Sequence, residues 1–172
     1  MAAAFAAHAA QAEIAIKPKT VGWVENVRVQ DVDMILRAKL DTGAKTSSLD
    51  ARVLDTKENP NPPAGYTEDT VVFSVMDEET KKARVFERDV VRYVRIKLKG
   101  DGYIRRPVVK MTFCIGGRLT EEEVNLAERD NFIYPVLIGR NMMQHANLLI
   151  NASRTFMTRP ACKKTSELSD NE

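Results

Sequence analysis

Apolar and polar side chains alternate in several short segments of the chain, and β-branched and aromatic residues are frequent in these segments. Alternation of this kind is typical of strands that bury one face. The predicted strands are Val21–Val29, Met34–Leu40, Thr70–Met76, Arg84–Phe86, Val90–Leu98, Arg106–Ile115 and Phe132–Ile138.

Residues that favour turns separate the predicted strands, as in the Pro-rich segment 58–65, in Gly100-Asp101-Gly102 and in Gly116-Gly117. One short helix is predicted at Asn141–Ala146, and neither an internal repeat nor a long helical periodicity is visible. The pattern therefore predicts a mostly β fold, either a barrel or an orthogonal sandwich. We interpret segment 58–65 as a loop within this domain, because apolar strands resume on both sides of it.

A length of 172 residues suits one domain with a core of its own and is too short for two. We expect this domain at residues 17–160, after an Ala-rich leader at 1–16 and before a polar, disordered tail at 161–172. The leader contains Ala10-Gln11-Ala12, which is typical of a signal-peptide cleavage site, but the first basic residue is Lys17. The leader is therefore interpreted either as the remnant of a signal peptide or as a disordered segment. After it, no apolar run is long enough to span a membrane.

The chain has two cysteines, Cys114 and Cys162, which are too few for a disulfide framework or a zinc ribbon. A single bridge stays open as an alternative if the protein is exported. The favoured interpretation is a buried Cys114 and an unpaired Cys162 in the tail.

Positive charge is concentrated in one part of the chain. The net charge of +2 gives no reason to expect a nucleic-acid partner, but segment 81–110 holds eleven basic and three acidic residues, a local charge of +8. Such a concentration attracts acidic ligands. The alternative is that these basic residues form only the solvated faces of strands.

Candidate chemistry begins where the second predicted strand ends, at Asp41-Thr42-Gly43. Taken alone, this tripeptide is typical of an ordinary turn. Far downstream, however, an apolar run leads into Gly139-Arg140-Asn141. The pair of elements resembles the retropepsin branch of the aspartic proteases.

A closer resemblance covers about residues 17–156. The segments VGWVENV, AKLDTGAKTSSLDA, RRPVV, IGGR, NLAERDNFIYPVLIGRNMM and LLINASRTF follow in order the bacterial retropepsin-like family, often labelled an ATP-dependent zinc protease. The resemblance implies a retropepsin-like acid-protease barrel with one lobe per chain and one short helix after the Gly-Arg-Asn element.

The resemblance also implies roles for the residues of the first element. Asp41 would be the catalytic acid, Gly43 would serve the tight turn that presents it, and the Thr42 hydroxyl would brace the loop of a partner subunit. Substrate contacts would come from the next three residues, Ala44, Lys45 and Thr46, of which the first would line the first subsite.

The second element would support the site through Ile138, Gly139, Arg140 and Asn141. A glycine within it lets its strand pass close beneath the catalytic loop, because a Cβ atom would clash there.

Peptide hydrolysis of this kind needs two carboxylates that share one proton, one as base toward water and one as acid toward the carbonyl oxygen. The chain has a single Asp-Thr-Gly, so we predict a symmetric homodimer in which two copies of Asp41 meet at the two-fold axis. Asp50 is interpreted as a surface or capping acid, although it could lie near the site.

Two features depart from the retroviral pattern. The position four residues after the catalytic acid, usually acidic in the viral enzymes, is Lys45 here, so Arg140 needs another partner, either Asp130 or a backbone carbonyl. No short Gly-rich flap is evident, and the candidates for a covering hairpin are Pro60–Thr70 and Lys99–Arg106.

Other catalytic chemistries find little support. Ser47 and Ser48 lack a G-x-S-x-G motif, and His145 is interpreted as capping or packing in the short helix. The only other histidine is His8, and neither H-E-x-x-H nor a phosphate-binding G-x-x-x-x-G-K-[ST] occurs. We therefore expect no cofactor, neither zinc nor ATP.

The sequence thus predicts an aspartic endopeptidase that acts as a homodimer on protein or peptide substrates, with a preference for acidic ones. Within the family, a cytoplasmic member is associated with removal of glutamate tails from a ribosomal protein. A signal peptide would instead place this chain in the periplasm, which we favour over the cytoplasm. The alternative function is a non-catalytic module that binds peptides or cell-envelope partners on the same fold.

Overall fold

The computed structural model describes residues 16–97, 100, 102–128 and 133–162. Eleven strands and one α-helix lie within these ranges. The elements are β1 Lys19–Val29, β2 Met34–Leu40, β3 Ser47–Asp50, β4 Arg52–Glu58, β5 Asp69–Met76, β6 Ala83–Asp89, β7 Arg92–Lys97, β8 Tyr103–Ile115, β9 Arg118–Ala127, β10 Val136–Ile138, α1 Arg140–His145 and β11 Leu148–Thr155.

Six strands close into a barrel in the order β1, β2, β10, β3, β9, β8. The barrel closes where Arg28 and Val29 of β1 pair with Cys114 and Phe113 of β8. Closure satisfies the backbone hydrogen bonds of these strands and leaves no open edge among them. β11 and β7 extend the sheet as outer strands beside β1 and β8. The predicted mostly β barrel with one short helix is confirmed.

Alternate residues of the barrel strands fill the core. In β2, Met34, Leu36, Ala38 and Leu40 are buried, while the residues between them are more exposed. Burial of one large apolar side chain stabilises a fold by about 1.5–3 kcal/mol. The buried residues fix the register of β2, and hence the place where the chain leaves this strand at Asp41.

A second, three-stranded sheet is formed by β4, β5 and β6. Phe73 of the central strand β5 stacks on Phe86 of β6, with the ring centroids 5.2 Å apart. Arg37 of β2 donates two side-chain hydrogen bonds and one backbone hydrogen bond to Glu78, which follows β5. These charge-assisted bonds fasten the second sheet to the barrel.

The C-terminal segment is fastened to the outside of the barrel closure. Cys114, fully buried in β8, forms a disulfide bond with Cys162, so the interpretation of two unpaired cysteines is wrong. Glu25, buried in β1, accepts hydrogen bonds from the amides of Met157 and Thr158 at 2.9 and 3.1 Å. The sequence could not pair the cysteines because 48 positions separate them and only the folded path of the chain brings them together.

Several predicted elements differ from the observed ones. The helix begins and ends one residue earlier than predicted, and β3, β4, β9 and β11 were missed. The predicted strand at Phe132–Ile138 is observed as Val136–Ile138, and the one at Val90–Leu98 is observed as Arg92–Lys97. Phe132 and Leu98 lie outside the described residues. The predicted strands at Arg84–Phe86 and Arg106–Ile115 extend further, to Ala83–Asp89 and Tyr103–Ile115.

Both candidate covering hairpins correspond to turns of the structure. Pro60–Thr70 belongs largely to the connection from β4 to β5, and Lys99–Arg106 to the hairpin of β7 and β8. Lys99 and Asp101 lie outside the described residues.

Candidate active site

Asp41 follows β2 directly and begins a tight loop. Its amide donates a hydrogen bond of 2.9 Å to the carbonyl of Ile138, and its own carbonyl accepts one of 3.1 Å from the amide of Ala44. The amide of Gly43 donates to Oδ1 of Asp41 at 3.0 Å. The loop therefore holds the carboxylate in one orientation at the open end of β2, where the side chain is 28% exposed.

The chain at the end of β10 supports this loop from the other side. The amides of Arg140 and Asn141 donate to the carbonyls of Ala44 and Lys45 at 2.9 and 3.1 Å. Three backbone hydrogen bonds thus join the two elements that the sequence singled out, although about a hundred positions separate them, and a fourth closes the Asp41 loop.

Gly139 is in direct contact with the backbone of this loop. A Cβ atom at position 139 would lie 2.5–2.8 Å from the backbone atoms of Thr46. The φ of Gly139 is −89°, an ordinary extended value, so the need for glycine here is one of space and not of backbone conformation.

Arg140 directs its side chain back to the loop. Its Nη1 atom donates to the carbonyl of Thr42 at 2.6 Å, so of the two partners expected for Arg140 a backbone carbonyl is the one in contact. Asp130, the other expected partner, lies outside the described residues.

Ser47 is a supporting residue that the sequence analysis did not assign. Its buried hydroxyl accepts a hydrogen bond of 3.0 Å from the amide of Gly139. Its carbonyl accepts one of 2.7 Å from the side chain of Asn125 in β9. Its position directly after the Asp-Thr-Gly loop could have indicated this role, because a buried hydroxyl there can accept hydrogen bonds from nearby backbone amides.

Lys39 is the second residue that the sequence analysis missed. It lies two positions before Asp41, and its Nζ atom is 3.2 Å from Oδ2 of Asp41. Burial alone raises the pKa of Asp41, but hydrogen bonds from Lys39, Gly43 and Ala44 and the charge of Lys39 outweigh it, so the pKa is lowered. The alternation of side chains along a strand places residues 39 and 41 on the same side, so the sequence alone could have predicted this contact.

The residues expected to contact substrate or a partner are all at least partly exposed to solvent. Thr42 and Lys45 are exposed, while Ala44 and Thr46 are half-buried. Within the described residues, the Thr42 hydroxyl has no hydrogen-bond partner. The loop therefore presents its polar side chains outward, next to the exposed edge of the Asp41 carboxylate.

Basic and aromatic residues share one face of the β7–β8 hairpin. Arg95 and Arg105 are directly opposite each other on the two strands. The guanidinium of Arg95 lies 4.6 Å from the ring centre of Tyr103, and that of Arg105 lies 3.5 Å from that of Tyr93. No described acidic residue pairs with either arginine. Two like charges directly opposite each other repel, and here no acidic partner offsets the repulsion.

Tyr93 anchors this face. Its hydroxyl donates a hydrogen bond of 2.7 Å to Asp69 of β5. Burial, followed by this hydrogen bond, raises the pKa of Tyr93 to about 12. The neutral ring thus gives Arg105 a fixed surface to stack on.

Strand β8 of the hairpin borders a groove of about 340 Å³, to which both Arg105 and Arg106 contribute. Arg106 of β8 and Val53 of β4 line it, together with Leu126 and Glu128. Half-buried Arg106 places a positive charge at this groove, and Glu128 is the acidic residue of its lining.

The remaining sequence candidates lie elsewhere in the fold. Asp50 ends β3, and its amide donates to the carbonyl of Pro135 at 2.7 Å. His145 ends α1, is largely exposed and contacts Glu122 of β9. Among the described residues, no group of three or more His, Cys, Asp or Glu side chains is placed to bind a metal ion.

No helix in the described part of the chain has the length and apolar composition needed to cross a membrane.

Comparisons with known proteins agree with this architecture. The crystal structure of a protein of unknown function from Legionella pneumophila is 31% identical to the chain, with a TM-score of 0.66. The similarity covers 82% of this chain and 98% of that one. No curated protein matches the chain.

A family model described as the retropepsin-like aspartic endopeptidase RimB, or RimB-like, matches residues 20–161. This match confirms the family resemblance that the Asp-Thr-Gly and Gly-Arg-Asn elements indicated. Because it extends over most of the sequence, the chain belongs to the RimB-like family of retropepsin-like aspartic endopeptidases.

Proposed function

We propose that the protein is an aspartic endopeptidase in which two copies of Asp41, one from each subunit of a homodimer, activate water for peptide hydrolysis. The observation that carries this proposal is the partly exposed Asp41 carboxylate, oriented by the amide of Gly43 in a loop that the Gly-Arg-Asn element supports. One chain supplies one such carboxylate, and the chemistry needs two.

The reaction uses the pair with one shared proton. The ionised Asp41 takes a proton from water, whose oxygen attacks the carbonyl carbon of the peptide bond. The protonated Asp41 of the other subunit gives its proton to the carbonyl oxygen. The C–N bond of the tetrahedral diol then breaks as the protonated carboxyl group gives its proton to the leaving nitrogen. The other carboxylate takes the proton of one diol hydroxyl, so the pair again holds one proton.

Thr42 supports the dimeric arrangement. Its hydroxyl is exposed beside Asp41 and has no hydrogen-bond partner within the described residues, so it is free to donate to a backbone group of the partner loop. Such a contact would hold the two catalytic loops side by side.

The distribution of positive charge supports a preference for acidic peptides. Arg95 and Arg105 have no acidic partner among the described residues, Arg106 borders the groove, and Lys45 is exposed beside Asp41. Because Arg95 and Arg105 each lie against a tyrosine ring, their N–H edges stay open to carboxylates.

The periplasm remains the favoured compartment and is part of this proposal. The disulfide bond between Cys114 and Cys162 supports it, because such bonds persist in oxidising compartments and are rare in the cytosol. Alkylation of both cysteines by a thiol reagent in intact cells, before any reduction, would contradict this location.

The decisive experiment compares the protein with its Asp41→Asn variant on peptide libraries between pH 4 and 8. We expect cleavage by the protein and a loss of at least about a thousandfold in the variant, since both carboxylates of the pair are removed. Asp55→Asn, on the exposed strand β4, is the matched control and should keep full activity. Equal cleavage by the Asp41→Asn variant would contradict the proposal. Specific peptide binding without cleavage by either protein would favour the non-catalytic module.

The same assay tests the substrate preference. An Arg95→Gln/Arg105→Gln double variant should lose most of its advantage for acidic over neutral peptides. Lys57→Gln, which removes a positive charge from β4, should not change this ratio. An unchanged ratio in the double variant would exclude the hairpin as its source.

A further inference from the structure

Lys39 and Asp41 form an ion pair at the mouth of the candidate site. Nζ of Lys39 is 3.2 Å from Oδ2 of Asp41, and the amide of Gly43 occupies Oδ1 at 3.0 Å. Both carboxylate oxygens thus have a donor within a single chain. Each oxygen has a second lone pair, so water or the other carboxylate can still bind.

The neighbours of Lys39 leave Asp41 as its ionic partner. On the adjoining strands, Lys39 is opposite Val24 of β1 and Leu137 of β10, which are both apolar. No other described carboxylate lies within salt-bridge distance of its ammonium group. In the single chain, Lys39 therefore pairs with Asp41. Its side chain is 42% exposed, so it stays accessible to a site formed by two subunits.

The other cations near the loop have different roles. Arg140, from α1, donates to the carbonyl of Thr42 and makes no ion pair with Asp41. Lys45, on the loop itself, is exposed and likewise makes no ion pair with Asp41. Lys39 is thus the cation that acts directly on this carboxylate.

We propose that Lys39 is a positioning residue that sets the protonation state of the Asp41 pair, so that the peptidase works over a more acidic pH range than an unassisted pair would. This inference rests on the proposed function, because the pair exists only when two subunits meet. An ammonium group beside each carboxylate favours loss of the shared proton. The pair loses its working state when that proton leaves, so the alkaline limit of activity moves to lower pH.

A purely structural lysine would behave differently. If Lys39 only fixed the orientation of Asp41, its replacement would lower activity at every pH and leave the shape of the pH profile unchanged. The pH profile therefore separates the two roles.

The first test measures kcat/KM against pH for the protein and for Lys39→Met and Lys39→Arg. We expect the alkaline limb of Lys39→Met to move up by roughly one pH unit or more, as for the loss of a close opposite charge. Lys39→Arg keeps the charge and should keep the limb of the parent protein. Limbs that coincide in all three proteins would overturn the proposal, as would an equal shift in both variants.

The second test does not depend on activity. The carboxyl carbon of Asp41 is followed by carbon-13 NMR titration, and its signal is assigned by its absence in Asp41→Asn. We expect its pKa to rise in Lys39→Met and to stay near the parent value in Lys39→Arg. If the protein cleaves no peptide, the proposed function fails, and this titration still decides whether Lys39 controls Asp41. An unchanged pKa in Lys39→Met overturns the proposal. If near-ultraviolet circular dichroism of Trp23 shows that Lys39→Met disturbs the fold, Lys39→Gln is used in its place.

Discussion

Gly139 is a single position on which the geometry of the candidate site depends. A Cβ atom there would lie 2.5–2.8 Å from the backbone of Thr46, which cannot turn away as a flexible side chain could. The glycine thus sets how closely the end of β10 approaches the loop that presents Asp41. At the scale of residues, the site is defined by this close approach as well as by the acid itself.

Gly139→Ala should therefore destabilise the protein by about 2–3 kcal/mol, in the upper part of the range for overpacking. Denaturant unfolding measures this loss, and we expect peptidase activity to fall with it because the loop must shift. Gly65→Ala is a useful comparison. Gly65 has a φ of +83° and nothing within 4 Å of its added Cβ, so only backbone strain of about 1 kcal/mol is expected, with full activity. Full activity and stability in Gly139→Ala would contradict this account.

Residue identity alone revealed only part of the site. Asp41 and Gly139 were accessible from the sequence because they belong to a pair of short elements with a family resemblance. The role of Ser47 was not, since its hydroxyl acquires it from the amide of Gly139 on another element. Lys39 was overlooked although alternation along β2 places it beside Asp41. The hydrogen bond from Gly139 to Ser47 joins positions 92 residues apart, and no local pattern predicts it.

At the scale of elements, the strands that the sequence missed are those whose alternation is hidden. β4 is exposed at every position, so it has no buried face to detect. In β9, the consecutive acids Glu121, Glu122 and Glu123 hide the buried Val124 and Leu126. Each of the three acids has a side-chain partner on another element: Glu121 and Glu123 form ion pairs with Lys110 and Arg92, and Glu122 contacts His145. Contacts with other elements therefore stabilise a strand in a segment for which the sequence predicted none.

The disulfide bond gives the prediction for the C-terminal segment. By closing a loop of 48 positions, it should stabilise the fold by about 4 kcal/mol in the chain-entropy estimate. Reduction should lower the free energy of unfolding by an amount of this order, measured by denaturant unfolding with and without a reductant. A Cys114→Ala/Cys162→Ala variant should be less stable than the oxidised protein and insensitive to the reductant. Unchanged stability of the parent protein with both thiols shown to be free would contradict the prediction.

At the scale of the whole molecule, the barrel supplies half of the proposed catalytic apparatus. One chain closes a single barrel of six strands and presents a single Asp41 at its surface, with Thr42 directed away from the fold. The sequence predicted one lobe per chain because it contains one Asp-Thr-Gly.

A mixture of active and inactive subunits tests the requirement for two chains. The parent protein and Asp41→Asn are unfolded together in equal amounts and refolded, so that subunits pair at random. If each site needs Asp41 from both chains, only parent homodimers are active, and the mixture should keep about one quarter of the activity of the same total amount of parent protein. If each chain acts alone, about one half should remain. The two proteins refolded separately and then assayed together give the reference for unmixed subunits, and one-half activity in the co-refolded sample would contradict a shared site.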